Sequence, residues 1–394
     1  MKSILITGGE LENKGAQSMT YTVVDELHKR FPNYKIILHS PCDVNKSEEF
    51  KRKFKFDISI IGNVIPVLRK MHFKQRLYYI IKGYDEEAYS KTKKFFEDID
   101  MMIDISGYGL GTDWNYYEIE TYLYRIMCAK YFGIKVYLMP QSFGPFDYKG
   151  IQAVKMKRKI KKALKYASVI CAREKHGYDI LTKQLGLKNV IKTYDLVLNN
   201  KSIDLQNVFH VVPELNIPDI KLNSIAIIPN QQNSKFGNEQ EVLNIYKDII
   251  EKMISKGKNV YILRHSKMDL PICQKIAKLN SNAILLENEF SCVEFNNFVN
   301  KFDFVIASRF HSVVHAYKNA VPCITLGWAV KYLELHNLFM QDNFVFNVRE
   351  NMDRDAILNA IEYMDNNFKS ESDKISLCLR DVQKENVFDI LSLE

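Results

Sequence analysis

The sequence predicts an α/β protein of two Rossmann-like domains facing a central cleft. At 394 residues the chain exceeds what one ordinary hydrophobic core takes. Short apolar strands alternate with amphipathic helices along most of it, the pattern of parallel sheets. The alternation fades between residues 199 and 223, where two prolines fall, and then restarts. We therefore expect a first domain over 1–198, a linker over 199–223 and a second domain over 224–375. A C-terminal helix over 376–394 is expected to pack back on the first domain.

The elements follow in order. "SILITGG" reads as a strand, "GAQSMTYTVVDELHKRF" as its helix and "YKIILHS" as a second strand. Residues 44–98 lack clear periodicity and read as an excursion with helices. Then come "DMMIDISG" (strand), "YYEIETYLYRIMCAKYFG" (helix), "IKVYLMPQS" (strand), a basic helix and "SVICAREK" (strand into turn). The helix "HGYDILTKQLG" and a strand near "NVIKTYDLVLN" close this half. After the linker, "NSIAIIPN", "KNVYILRHS", "NAILLEN" and "DFVIAS" read as strands. "NEQEVLNIYKDIIEKMISKG", "DLPICQKIAKL", "SCVEFNNFVNKF" and "HSVVHAYKNA" read as the helices that follow them.

Apolar residues at 46% and charged residues at 26% place the chain among globular proteins. No apolar run approaches the roughly 20 residues that span a bilayer. The start "MKSILITGGE" is too short and too soon interrupted for a signal peptide. Seven cysteines without a C-x-x-C pair fit reduced thiols, so a cytoplasmic protein is expected. The net charge of +8 favours anionic partners and gathers in "KMKRKIKKALKYAS". That run reads as an amphipathic helix with Ile160, Ala163, Leu164 and Ala167 inward. Its solvated face suits an anionic membrane surface or an acidic glycan. No nucleic-acid module surrounds it.

In open parallel sheets ligands bind beyond the carboxyl ends of the strands, so candidates are sought there. "DFVIASRFHSVVHAYKNA" puts Ser308, Arg309 and His311 between a strand and the first turn of a helix. Free N–H groups at a helix start favour an anion, and an arginine adds a two-pronged bond to carboxylate or phosphate. A histidine there can donate a hydrogen bond or move a proton near neutral pH. "ITGGELENKGAQ" contributes Gly8, Gly9, Asn13 and Gly15, and "DISGYGLGTDW" contributes Gly107, Tyr108 and Gly109. Neither is a dinucleotide loop, and no G-x-x-x-x-G-K-[ST] occurs. "MPQSFGPFD" brings Gln141 and Ser142, "CAREKHGYDIL" Arg173 and Glu174, and "LRHSKMD" Arg264, His265 and Asp269. His311 and His315 are four apart on one helix face, but no third ligand accompanies them, so no metal site is expected.

This constellation, in this order, resembles the polysaccharide pyruvyl transferase family. The pieces are the first glycine loop, "SGYGL", "PQSFGP", "AREKHGYDIL", "YDLVL" and "SRFHSVVHAYKNAVP", spread over residues 3 to 335. The resemblance implies a GT-B-type fold and transfer of a pyruvyl group from phosphoenolpyruvate to sugar hydroxyls, as a ketal. The acceptor is a glycan or a lipid-linked glycan precursor. It implies a donor site at Arg173, Ser308, Arg309 and His311, with His311 as general acid, and no cofactor beyond phosphoenolpyruvate as co-substrate. Glu174, Asp195, Asp104 and Asp113 follow strands and are candidate bases, or partners of neighbouring groups. One departure is Ala16, which stands where many members carry an aspartate.

Two other readings share the fold. A GT-B glycosyltransferase would call for a ribose-binding acid in the second domain, and "TLGWAVKYLEL" offers Trp328 but no acid before Glu334. A non-catalytic glycan-binding relative would not need Arg173, Arg309 and His311 together. Aromatic residues at 12%, with 22 tyrosines, suit sugar stacking and an ordinary core alike.

Overall fold

The computed structural model describes residues 2–61, 86–233, 238–327, 330–349 and 352–393. Two parallel sheets are present. The first has β1 (Ser3–Thr7), β2 (Lys35–His39), β3 (Asp57–Ser59), β4 (Ile99–Asp104), β6 (Lys135–Phe143), β7 (Val169–Ala172) and β8 (Val190–Lys192), in the order β3-β2-β1-β4-β6-β7-β8. The short β5 (Tyr108–Leu110) pairs with the end of β6. The second runs β11 (Ile284–Leu286), β10 (Asn259–Leu263), β9 (Ser224–Ile228), β12 (Phe304–Ala307), β13 (Cys323–Gly327) and β14 (Val345–Asn347). Both orders step outward from a first strand and then reverse, which opens a crevice at the reversal. In the first sheet it lies beyond β1 and β4, in the second beyond β9 and β12.

The helices are α1 (Lys14–Arg30), α2 (Glu86–Glu97), α3 (Tyr116–Tyr131), α4 (Gly150–Leu164) and α5 (Lys175–Asp179) on the first sheet. On the second are α6 (Glu239–Ser255), α7 (Leu270–Ala277), α8 (Cys292–Phe298), α9 (Phe310–Lys318) and α10 (Val330–Leu338), and α11 (Arg354–Val382) runs between the two. β1 and β9 are buried at every position, as strands covered on both faces must be. The basic helix spans 150–164 and does turn Ile160, Ala163 and Leu164 inward.

Three expectations change. The strand near "NVIKTYDLVLN" stops at Lys192, because the Asp195 carboxylate accepts the Val197 N–H and turns 196–199 into a helical turn. The segment read as linker begins as cover for the first domain: Lys55 N–H donates to the Val208 carbonyl, and Val208 and Phe209 are buried. The last helix begins at Arg354, not 376. Its first turns bury Ile357, Ile361 and Met364 in the second domain, while Ile375 and Val382 join the cluster shared with the first. The chain beyond it returns to the first sheet, where Tyr137 donates to the Ser392 carbonyl. Part of the 44–98 excursion, residues 62–85, lies outside the described residues, as does Trp328.

One apolar cluster crosses from one domain to the other. It joins Met19 and Tyr21 of α1 and Leu196–Leu198 to Phe295, Phe310, Val313 and Tyr317. Polar ties reinforce it. Glu334 of α10 accepts from the Lys175 and His176 N–H groups at the start of α5, Gln17 accepts from the Cys292 N–H, and Lys14 donates to the His265 carbonyl. The strand ends of both sheets therefore meet in a fixed arrangement.

Candidate active site

The turn after β7 carries Arg173, each of whose guanidinium nitrogens donates within the first domain. Nε donates to Glu174 (2.8 Å) and Ser142 (3.1 Å), Nη1 to Asp195 (2.9 Å) and Nη2 to Ser142 (2.9 Å). Ser142 in turn donates to Glu174 at 2.7 Å. Arg173 stacks on the Phe310 ring, 4.1 Å from its centroid, so a second-domain aromatic covers this first-domain network.

The turn after β12 carries the other half. Arg309 forms a two-pronged pair with the fully buried Asp269, at 2.9 and 2.6 Å. Asp269 also accepts from the Gln231 and Ser266 N–H groups. Two residues on, His311 points back across the cleft. Its Nε2 lies 3.8 Å from Asp195 and has no hydrogen-bond partner among the described residues. Burial, with Arg173 and Lys331 nearby, holds its pKa well below the usual imidazole value. That environment favours the neutral ring.

Gly15 explains how that ring fits. A Cβ at this position would sit inside the His311 imidazole, so only glycine lets α1 approach α9 this closely. Asn13 caps α1 through the Gly15 N–H. Gly8, at φ +78°, and Gly9 have another cause: a side chain at either would strike Ser106 or Thr20, so they serve packing within their own domain. Gly107, at φ +65°, turns the chain beside Met19, and Gly109 packs on Tyr122.

Other sequence candidates fall away from the cleft. Gln141 donates to Asp104 and accepts from Tyr122, and Asp104 is held by Thr7 and the Ser106 N–H. The Ser308 hydroxyl meets Tyr246 and Asn233 in the interior of its own domain. His265 is buried edge-on against Phe295, with Nε2 unpartnered and pKa pushed well down. By contrast, Asp113 stays on the cleft wall, where it accepts from the Tyr108 hydroxyl at 2.9 Å. Among the described residues, no group of three His, Cys, Asp or Glu is placed to hold a metal ion.

Two cavities adjoin. A small one of about 70 Å³ is lined by Arg173, Asp195, Lys192, Phe310 and Lys331. A cleft of about 550 Å³ extends from it along Tyr108, Trp114, Pro145, His176 and Arg349. Glu174, Lys331 and Glu334 line both. Lys331 and Lys14 escaped the sequence reading. Lys331 lies in the first turn of α10, after β13, so the strand-end rule would have reached it. Nothing in its local sequence marks Lys14 as buried.

An interdomain cleft at two sheet reversals, with arginines and a histidine at the strand ends, is the arrangement of a GT-B-type fold. The family model for polysaccharide pyruvyl transferase matches residues 13–329, and the chain belongs to that family. Membership carries a pyruvyl donor and a glycan acceptor. No curated protein matches the sequence. Among solved structures, the fold is similar to UDP-GlcNAc 2-epimerase from Methanocaldococcus jannaschii, with 16% identity, TM-score 0.56, and 96% of this chain and 99% of that one covered. It is also similar to UDP-GlcNAc 2-epimerase from Neisseria meningitidis bound to UDP-GlcNAc, with 13% identity, TM-score 0.54, and 98% and 100% covered. A glycosyltransferase from Rickettsia africae shares 10% identity at TM-score 0.53, with 99% of each chain covered. At these identities the likeness is one of fold. Among the described residues, no helix is long and apolar enough to cross a membrane.

Proposed function

We propose that the protein transfers pyruvyl from phosphoenolpyruvate to two hydroxyls of one sugar, in a glycan or lipid-linked glycan precursor. The carrying observation is the meeting of His311 with the Arg173–Asp195 pair across the cleft, next to Arg309. The donor is a small molecule with a carboxylate and a phosphate, and it occupies the small cavity. The sugar lies in the larger cleft, against Tyr108 and Trp114.

The neutral state of His311 has a consequence. Its pKa is low because burial and cations surround it. A phosphate beside it reverses the local field and favours the imidazolium, so donor binding takes up a proton. The loaded ring gives that proton to the CH2 carbon of the enol, which becomes a methyl group. A sugar hydroxyl adds to the adjacent carbon and loses its proton to the now neutral His311. The carbon–oxygen bond to phosphate then breaks, and phosphate leaves with the electron pair. The second hydroxyl closes the ketal and releases the second proton. The sum is phosphoenolpyruvate plus diol giving ketal plus inorganic phosphate. No step uses a resident cofactor. Glu174 and Asp195 hold Arg173 rather than act as bases.

We place the reaction in the cytoplasm at the inner membrane face. The support is α4 and its C-cap: Lys155, Lys157, Arg158, Lys161, Lys162 and Lys165 are exposed and form no ion pair among the described residues. Each contributes about 1 kcal/mol near an anionic surface. Vesicles with anionic lipid should retain the protein, and charge reversal at 157, 158 and 161 should release it. Equal binding to neutral vesicles would remove this placement.

The function is tested by calorimetry of phosphoenolpyruvate beside UDP-, GDP- and CMP-sugars, in buffers of different ionisation enthalpy. Saturable phosphoenolpyruvate binding with proton uptake, lost in His311→Asn, is expected. Binding of a nucleotide-sugar alone would replace this reading with glycosyl transfer.

A further inference from the structure

The approach to α3 raises an aromatic ridge at the rim of the larger cleft. Trp114 is 38% exposed and Tyr117 is 78% exposed, so folding leaves two large ring faces in water. Their neighbour Tyr116 is engaged, since its hydroxyl accepts from Lys159. The Trp114 indole N–H and the Tyr117 hydroxyl make no hydrogen bond among the described residues. The ridge is held from behind. The Thr112 N–H and hydroxyl both donate to the Pro145 carbonyl, at 2.9 and 3.1 Å. Reciprocal bonds between Asn115 and Glu118 fix the first turn of α3. The Trp114 ring rests against Tyr108, with centroids 5.9 Å apart.

A groove of about 310 Å³ adjoins this ridge, lined by Trp114, Tyr117, Thr121, Tyr122 and Arg125. Tyr108 and Trp114 line both this groove and the larger cleft, so the two are continuous. Arg125 supplies the cation. Its guanidinium lies over the Tyr122 ring at 5.6 Å and stands 3.8 Å from Asp104, beyond hydrogen-bond reach. Its Nε is buried and has no hydrogen-bond partner among the described residues. Asp104 is already matched by Thr7, the Ser106 N–H and Gln141, and Glu118 is used in the cap. Open ring faces beside an arginine fork suit a ligand with one flat apolar face and an oxygen-bearing edge, which is the chemistry of a pyranose.

We propose that this groove is a second sugar site of the acceptor. The reacting sugar lies in the larger cleft, and the adjoining sugar of the same chain lies across the ridge, stacked on Trp114 and Tyr117 with a pair of oxygens turned to Arg125. The acceptor is therefore at least a disaccharide. The inference rests on the pyruvyl-transfer reading. The oxygen pair belongs to adjacent hydroxyls or to a uronic carboxylate, and the fork takes either. A contact one sugar away from the reacting carbon is made equally before and during the reaction, so it lowers KM and leaves kcat alone.

The test is phosphate release from phosphoenolpyruvate with methyl glycosides of the common hexoses and N-acetylhexosamines, beside disaccharides built on each with a neutral or a uronic second sugar. For the sugar that reacts, the disaccharide should exceed the monosaccharide in kcat/KM on the order of ten- to a hundredfold, through KM. Tyr117→Ala and Arg125→Met should each bring that ratio toward one. A folding defect lowers both substrates alike and does not move the ratio. A gain confined to uronic disaccharides and weakened by salt assigns the carboxylate, and an equal gain with neutral ones assigns the hydroxyl pair. A ratio near one in the wild type overturns the inference and leaves the pyruvyl-transfer reading intact. So does a ratio that persists in both variants. Failure of every sugar to release phosphate overturns both.

Discussion

The two walls of the cleft solve the same problem differently. The first-domain wall, Ser142–Arg173–Glu174–Asp195, is a closed hydrogen-bond network. The second-domain wall presents His311 with an unpartnered Nε2 and Lys331 with ring faces but no hydrogen bond or ion pair among the described residues. A satisfied buried network holds its shape without a ligand, whereas unsatisfied buried groups pay a desolvation cost that a ligand can relieve. We read the first wall as the scaffold and the second as the working face.

The contrast is broken most forcefully at Arg173. Arg173→Met leaves Glu174 and Asp195 buried without their cation and should cost about 3–5 kcal/mol. Lys331→Met removes no hydrogen bond among the described residues and should stay within about 1 kcal/mol. Denaturant unfolding of the two variants checks this, and equal losses would erase the distinction between the walls.

Acid should separate the two halves next. His265, His311, His315 and His336 of the second domain all have pKa values lowered by burial, against His39 and the less buried His28 of the first. A histidine with a depressed folded pKa binds fewer protons folded than unfolded, so its stability contribution is lost as pH falls below 6.5. For His336, at about 3, and His39, at about 4, the cost at pH 5 is roughly 2 kcal/mol each. Hydrogen exchange should show β10 and β12 losing protection at higher pH than β1 and β4. Simultaneous loss would mean that the shared core couples the halves more strongly than their histidines divide them.

Gly15→Ala tests the seam. The methyl group must displace His311, which should cost about 1–3 kcal/mol and lower turnover more than donor affinity. A variant with normal kinetics would show that the ring need not stay where it lies. The smallest effect is expected for Tyr108→Phe, which loses one partly exposed bond to Asp113 but keeps the ring under Lys331. Stability should change by no more than about 1 kcal/mol, and donor affinity should persist. A large loss of donor affinity would give the hydroxyl a role beyond fixing the loop.

Fold class was legible because it depends on local pattern. Strand and helix periods, strand-end glycines and the restart after residue 223 suffice for two parallel sheets, and the order of motifs marks Arg309 and His311 at a strand end. Element ends were less legible where a side chain intervenes, as Asp195 does in capping the turn after β8. The pairing of charges was not legible. Arg173 meets Asp195 from 22 positions away, Arg309 meets Asp269 from 40, and Gly15 is a glycine because of His311 in the other domain. Such matches depend on which strand ends the packed sheets bring together, and periodicity carries no record of that. The same holds for Lys331, whose place over rings of both domains belongs to the assembled cleft. Sequence alone determined the architecture and the address of the site. Tertiary structure decided which charges are spent on the scaffold and which remain for a ligand, because burial and distance, not residue type, set the cost of an unpaired charge.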